Sequence, residues 1–237
     1  MQIIWYGHSF FQILTQKSKK KTIKIAIDPF DEKIGLKPPL VEADILLITH
    51  SHPDHNNAQT VKDSPFLISG PGEYEIGGVF IKGVPAFHDD EGGKERGEVT
   101  IYTIESEDLK ICHLSDFGQK ELTEEQLESI GDIDILMIPI GGVYTISAKE
   151  AAKIVSQIEP KIVIPMHYQI PKLKIHPVKS RETGISSKMK SFNGVKLEGV
   201  EGFLRAMGVK SPEVLKKFSI QEKSLPAEGT KIIIMKP

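Results

Sequence analysis

Cysteine is nearly missing from this 237-residue chain: Cys112 stands alone, which excludes an intrachain disulfide, a Cys-rich zinc module and a CxxC redox pair. A reducing, cytoplasmic setting is the expectation that follows. Charge of one sign is missing too. Thirty basic residues face thirty-two acidic ones, a formal net charge of -2, so the electrostatic footprint of a nucleic-acid or membrane-surface binder is absent. The apolar run Ile45 to Ile48 falls far short of the roughly 20 residues that span a bilayer, and Met1-Gln2-Ile3-Ile4-Trp5 lacks the basic region of an export signal. No Ser/Gly/Pro-rich linker divides the chain, which predicts one domain over residues 1–237. What the composition does supply is histidine, eight in all.

Hydrophobic periodicity organises the chain as a mixed α/β protein. Strands are expected at Gln2 to Tyr6, Ser9 to Thr15 and Thr22 to Asp28, with the lysine-rich run Lys17 to Lys21 as a solvated hairpin tip. A buried strand, Asp44 to Thr49, leads into a histidine-rich loop and a short helical stretch near Asn57 to Lys62. Further strands follow at Pro65 to Ser69, Glu73 to Ile76, Val79 to Phe87, Glu98 to Glu105 and Leu109 to Leu114. Thr123-Glu124-Glu125-Gln126 and Ser147-Ala148-Lys149-Glu150 are capping boxes that open helices to Ile130 and Ile158. The strands after them, Ile133 to Ile138 and Lys161 to Pro165, are apolar without alternation, as in a sheet covered by helices. A helix near Val200 to Met207, a short one after Pro212 and a strand Lys231 to Met235 complete the expected elements.

Chemistry concentrates in Thr49-His50-Ser51-His52-Pro53-Asp54-His55, where a buried strand runs out into three imidazoles and a carboxylate. At this chain's histidine frequency, about 0.01 such histidine triplets are expected by chance, so the cluster calls for a function. His50 and His52 lie two apart on an extended segment and point the same way, which lets both reach one ion at about 2.1 Å. Asp54 and His55 are adjacent and diverge, so the simplest arrangement is two ions side by side. Cys112, inside an apolar strand, reads as an inert core residue.

The HxHxDH pattern after a hydrophobic strand resembles the signature of the metallo-β-lactamase-fold superfamily. Ile27-Asp28-Pro29, His88, Asp116 in His113-Leu114-Ser115-Asp116-Phe117-Gly118, and His167 in Ile164-Pro165-Met166-His167-Tyr168 follow in the matching order. Gly7-His8-Ser9, Ile138-Pro139-Ile140-Gly141-Gly142 and Tyr144-Thr145-Ile146 are similar to a small metal-dependent hydrolase branch related to L-ascorbate-6-phosphate lactonases. The start departs from that branch, with Phe10 where its members usually carry cysteine. The resemblance implies an αββα sandwich of two packed mixed sheets with a dinuclear site at one edge. It implies His50, His52 and His88 on one ion, Asp54, His55 and His167 on the other, and Asp116 between them. His113 is the rival of His88, although the buried strand before it favours a supporting role. His8 is expected near the ions, and Asp28 behind a ligand histidine as its hydrogen-bond partner. Nitrogen and carboxylate donors favour zinc, with manganese or iron compatible.

The implied activity is a hydrolase that uses a metal-bound hydroxide, oriented by Asp54, to cleave an ester, lactone or phosphoester bond of a small substrate. Arg96, in the charged loop Asp89 to Gly97, is positioned by sequence to pair with a substrate phosphate or carboxylate. A metal-dependent phosphodiesterase or nuclease is the alternative within the resemblance, against which the near-neutral charge argues. A non-catalytic, metal-stabilised binding protein is the alternative from another class. No membrane partner is expected, and a homo-oligomer is compatible with the chain. His176 has no supporting context and is expected at the surface.

Overall fold

Strand-forming residues dominate the first half of the chain. In the computed structural model, which describes residues 1–18, 21–175 and 195–237, they build β1 (Gln2–Trp5), β2 (Phe11–Ser18), β3 (Lys21–Ile27), β4 (Val41–Glu42), β5 (Ile45–Leu47), β6 (Val61–Lys62), β7 (Phe66–Ile68), β8 (Gly72–Ile76), β9 (Val79–Phe87), β10 (Glu98–Ser106) and β11 (Leu109–His113). The second half alternates helix and strand: α1 (Glu124–Ile130), β12 (Ile135–Pro139), α2 (Ala148–Ile158), β13 (Ile162–Met166), α3 (Val200–Ala206), β14 (Glu213–Leu215), β15 (Lys217–Ser219) and β16 (Lys231–Met235). The hairpin tip at 19–20 and His176 lie outside the described residues. Among the described residues, no helix is long and apolar enough to cross a membrane.

Two mixed sheets result. One has the order β15-β1-β2-β3-β5-β7, the other β14-β16-β13-β12-β11-β10-β9-β8, and β4 pairs with β6 separately. Within the first sheet β3, β5 and β7 run parallel; within the second, β11, β12, β13 and β16 do. Their facing sides share one apolar core that includes Trp5, Phe11, Ile25, Ile101, Ile111 and Ile164. Tyr102 on β10 pins the sheets together: its hydroxyl donates to Ile48 O at 3.1 Å and accepts from Gly70 N at 3.0 Å. β12 and β13 are buried along their whole length, consistent with their unalternating sequences. The helices lie on this larger sheet, α1 against β9 and α2 against β12 and α3. Both expected capping boxes form, Thr123 with Gln126 and Ser147 with Glu150, each contributing about 1 kcal/mol.

Two expected helices take other forms. The stretch near Asn57 to Lys62 is a single 3-10 turn, Ala58–Thr60, followed by the short strand β6. The segment after Pro212 is extended rather than helical. β14 pairs with β16 in the larger sheet and β15 with β1 in the smaller, so this segment crosses from one sheet edge to the other. Its seven residues carry β-branched and aromatic side chains at Val214 and Phe218, and distant edge strands supply hydrogen bonds that a local helix would have had to forgo.

Candidate metal centre

Chain crossings place the chemistry at one end of the sandwich. Open sheets present their sites beyond the carboxyl ends of parallel strands, and here Asp28 follows β3, the segment His50 to His55 follows β5, Asp116 follows β11 and His167 follows β13. His8 comes from the turn after β1, and His88 directly follows β9. Four of these turns hold a non-glycine residue in the left-handed region: His8 at φ 53, Asp28 at φ 50, Ser115 at φ 56 and His167 at φ 50. Such backbone is strained and persists where its surroundings dictate it. His8, Asp28, His55, His88, Asp116 and His167 are buried, whereas His50, His52 and Asp54 are part-exposed and form the open side.

The ligand-type atoms converge in two sets of distinct members, His50, His52 and His88 in one and His8, Asp54, His55 and His167 in the other, and Asp28 forms a further group with His50 and His55. His50 Nε2 and His52 Nδ1 are 3.1 Å apart, close to the roughly 3.4 Å expected of two nitrogens that share a tetrahedral ion at about 2.1 Å. Asp116 joins the sets: its Oδ2 lies 3.1 Å from His55 Nε2, 3.1 Å from His167 Nε2 and 3.6 Å from His88 Nε2. Despite this proximity, His55 Nε2, His167 Nε2 and Asp116 Oδ1 are buried without a hydrogen-bond partner. Buried polar atoms are ordinarily paired, so a convergent unpaired group of imidazole nitrogens and carboxylate oxygen fits divalent metal.

Asp28 determines which imidazole nitrogens face that point. It accepts from Thr49 N at 2.8 Å, from Thr49 Oγ1 at 2.6 Å and from His55 Nδ1 at 2.9 Å. Thr49 has spent its one hydroxyl proton on Asp28, so its 3.0 Å contact with His50 Nδ1 requires that nitrogen to donate. In their neutral forms His50 and His55 both present Nε2 as the lone-pair atom.

Electrostatics prepare the set for cations. Burial, followed by repulsion from neighbouring imidazoles, lowers His8 and His88 to about 4 and His50 well below its ordinary value, so these rings are neutral at pH 7. Burial alone would raise Asp116 and Asp54. The histidines outweigh it, His167 and His55 at Asp116 and His55 and His8 at Asp54, and hold both carboxyls low. Burial pushes His55 down, but Asp116, Asp54 and Asp28 together hold it well above the usual histidine range. The metal-free chain thus keeps a proton on His55 near pH 7, and an ion that takes its Nε2 lone pair must expel it. Metal affinity should rise with pH through that range, and calorimetry at pH 7 in two buffers of different ionisation enthalpy should show about one proton released per chain. Buffer-independent heats would contradict this.

His113 stands apart from both sets. Its Nε2 lies 3.3 Å from Ser9 O and its Nδ1 accepts from Ser115 N at 3.2 Å, with the ring edge-on to Phe11. It is His88 that the structure brings together with His50 and His52. Arg96 sits at the rim, with its Cζ 5.8 Å from the Tyr144 ring centroid. Two buried organisers were not singled out in the sequence. Thr49 is one. Asp89 is the other: its carboxylate accepts from the backbone N–H groups of Glu91, Gly93, Glu95 and Arg96 at 2.8–2.9 Å, and an aspartate opening a glycine-rich loop is the signal that could have found it. Gly141 is required by close approach, since a Cβ there would lie 2.2 Å from His167 O. Gly141→Ala should lower Tm by roughly 4–8 °C, as a strain of about 2 kcal/mol does in a chain of this size; an unchanged melting curve would refute the contact.

Two packed mixed sheets carrying a histidine-carboxylate centre at their strand ends define the class: a metallo-β-lactamase-fold protein. Residues 2–167 match the family model described as beta-lactamase superfamily domain. A "UPF0173 metal-dependent hydrolase" of Thermococcus onnurineus is 34% identical, over 71% of this chain and 84% of that protein, and one of Thermoplasma acidophilum is 31% identical, over 71% and 83%. The chain belongs to the beta-lactamase superfamily and, within it, to the UPF0173 metal-dependent hydrolases. A crystal structure from Thermotoga maritima, provisionally assigned as a zinc-dependent hydrolase of the metallo-β-lactamase superfamily, superposes with a TM-score of 0.71 at 33% identity, covering 99% of this chain and 97% of that one. A Parabacteroides distasonis structure at 19% identity and TM-score 0.59, covering 97% and 91%, shares the fold.

Proposed function

We propose that this metal-dependent hydrolase cleaves an ester, lactone or phosphoester bond of a small substrate at a dinuclear centre. In this reading His50, His52 and His88 hold one ion, Asp54, His55 and His167 the other, and Asp116 lies between them. The observation that carries it is the position of Asp116 Oδ2, within 3.1–3.6 Å of imidazole nitrogens from both sets. Imidazole and carboxylate donors without thiolate favour zinc, with manganese and iron compatible. Bound divalent ions supply a water of lowered pKa and an electrophile for the scissile bond's oxygen.

The chain's own residues do the rest. Asp28 keeps His55, and through Thr49 also His50, in the tautomer whose Nε2 faces inward. Asp54, ionised across the working range, is 3.2 Å from His8 Nε2; with one oxygen so held, the carboxylate is oriented to accept a hydrogen bond from the attacking water. The part-exposed side at His50, His52 and Asp54 is the approach for substrate, while the buried histidines behind exclude bulk water. Elemental analysis of the purified protein should find two divalent ions per chain. The same sample should turn over at least one member of a lactone, phosphodiester and thioester panel, with turnover lost on chelation. Less than one ion per chain after reconstitution would sink the proposal.

A further inference from the structure

The rim of the centre carries a device that the ligand set does not use. Arg96 lies in the loop between β9 and β10 and Tyr144 in the loop after β12; both are half-buried, and the guanidinium stands 5.8 Å from the ring centroid. The loop that presents Arg96 is not a slack one. Buried Asp89, next to His88, takes four of its backbone N–H groups, that of Arg96 at 2.8 Å among them. One dipeptide therefore supplies an imidazole to the centre and anchors the backbone of the arginine. The loop of Tyr144 abuts the centre as well, since a Cβ at Gly141, three residues earlier, would lie 2.2 Å from His167 O. The carboxylate that Arg96 touches is Glu95, Nη2 to Oε2 3.3 Å, with Glu95 59% exposed. An exposed pair of that kind is weak and exchanges partners readily.

We infer that Arg96, braced on Tyr144 and anchored through Asp89, clamps an oxyanion of the substrate at the mouth of the metal centre. The substrate class is thereby narrowed to molecules that carry a carboxylate or a phosphate near the bond to be cleaved. The inference rests on the hydrolase reading for its word substrate, but not for the anion site itself. A guanidinium suits the task because its planar fork meets carboxylate or phosphate with two parallel hydrogen bonds, and cation-π attraction to an aromatic face holds the charge in place before the ligand arrives. Tyr144 also carries a hydroxyl that can serve the same anion as a neutral donor.

The test is calorimetric titration of the metal-loaded protein with inorganic phosphate and, separately, with acetate at low salt, alongside elemental analysis. Arg96→Gln should weaken binding of the recognised anion about 10-fold or more, as loss of a charge-assisted pair does, with metal content unchanged. Tyr144→Phe keeps the ring under the guanidinium and removes only the hydroxyl; it should weaken binding about 3-fold. Whichever anion loses more affinity on Arg96→Gln is the group the clamp reads. Wild-type affinity of both anions in Arg96→Gln would overturn the inference, because the ions alone would then account for binding. Loss of metal from that variant would overturn it too, by making Arg96 a brace for the His88 loop. An anion site lost in Arg96→Gln with full metal content would stand even if the protein hydrolysed nothing on the panel, so the two readings fail separately.

Discussion

With the dinuclear centre proposed above, Asp116→Asn should reduce kcat/KM by about 10³-fold or more and lower metal content by at least one ion per chain. The carboxylate has Oδ2 against imidazoles from both sets and Oδ1 buried without a partner. An amide of the same shape keeps one oxygen and turns an N–H₂ group, which cannot ligate, toward the opposite side. With one ion lost, either the activation of water or the polarisation of the scissile oxygen goes with it. Such contributions amount to several kcal/mol, and about 4 kcal/mol is roughly a factor of 10³ in rate. Elemental analysis and steady-state kinetics on one preparation check both halves. A variant that kept two ions and near-parental turnover would remove Asp116 from the centre.

Asp28 offers the second large effect, at a carboxylate whose observed partners are hydrogen-bond donors. Its carboxylate takes three donors, two from Thr49 and one from His55, and asparagine cannot accept all three. If the amide N–H₂ faces His55, that ring must present the lone pair at Nδ1 and move its proton to Nε2, the atom turned toward Asp116. Asp28→Asn should therefore weaken metal binding about 10- to 100-fold in competition with a chelator, while asparagine still tolerates the left-handed backbone at φ 50. Asp28→Ala leaves the buried Thr49 donors unpaired and strains that same backbone, and should lose roughly 3 kcal/mol of stability in denaturant unfolding. Unchanged chelator competition in the asparagine variant would show that the tautomer argument is wrong.

Much of this site was legible in the chain because its signal is local. His50, His52, Asp54 and His55 lie within six residues at the end of an apolar strand, and their period and residue types imply a metal before any fold is known. His88, Asp116 and His167 came from a resemblance in chain order, since a lone histidine after a strand carries no mark of what it will face. The choice between His88 and His113 turned on strand packing: His113 ends β11 with its ring against Phe11 and Ser9, a contact between sheets that spacing does not encode. The extended segment after Pro212 was hidden for a similar reason, because its pairing partners β1 and β16 lie at the two ends of the chain. The roles of Thr49 and Asp89 depend on hydrogen bonds whose partners become visible only when the loops are closed.

The left-handed residues around the centre bear on how this protein would respond to engineering. A non-glycine residue in that conformation costs on the order of 1–3 kcal/mol, and His8, Asp28, Ser115 and His167 all adopt it in the site turns. Substitution by glycine would relax each turn while deleting an imidazole, a carboxylate or a serine hydroxyl from the chemistry. Selection for thermal stability without selection for turnover should therefore drift first into these four positions, the familiar exchange of activity for stability. Screens that aim to harden the fold would do well to hold them constant.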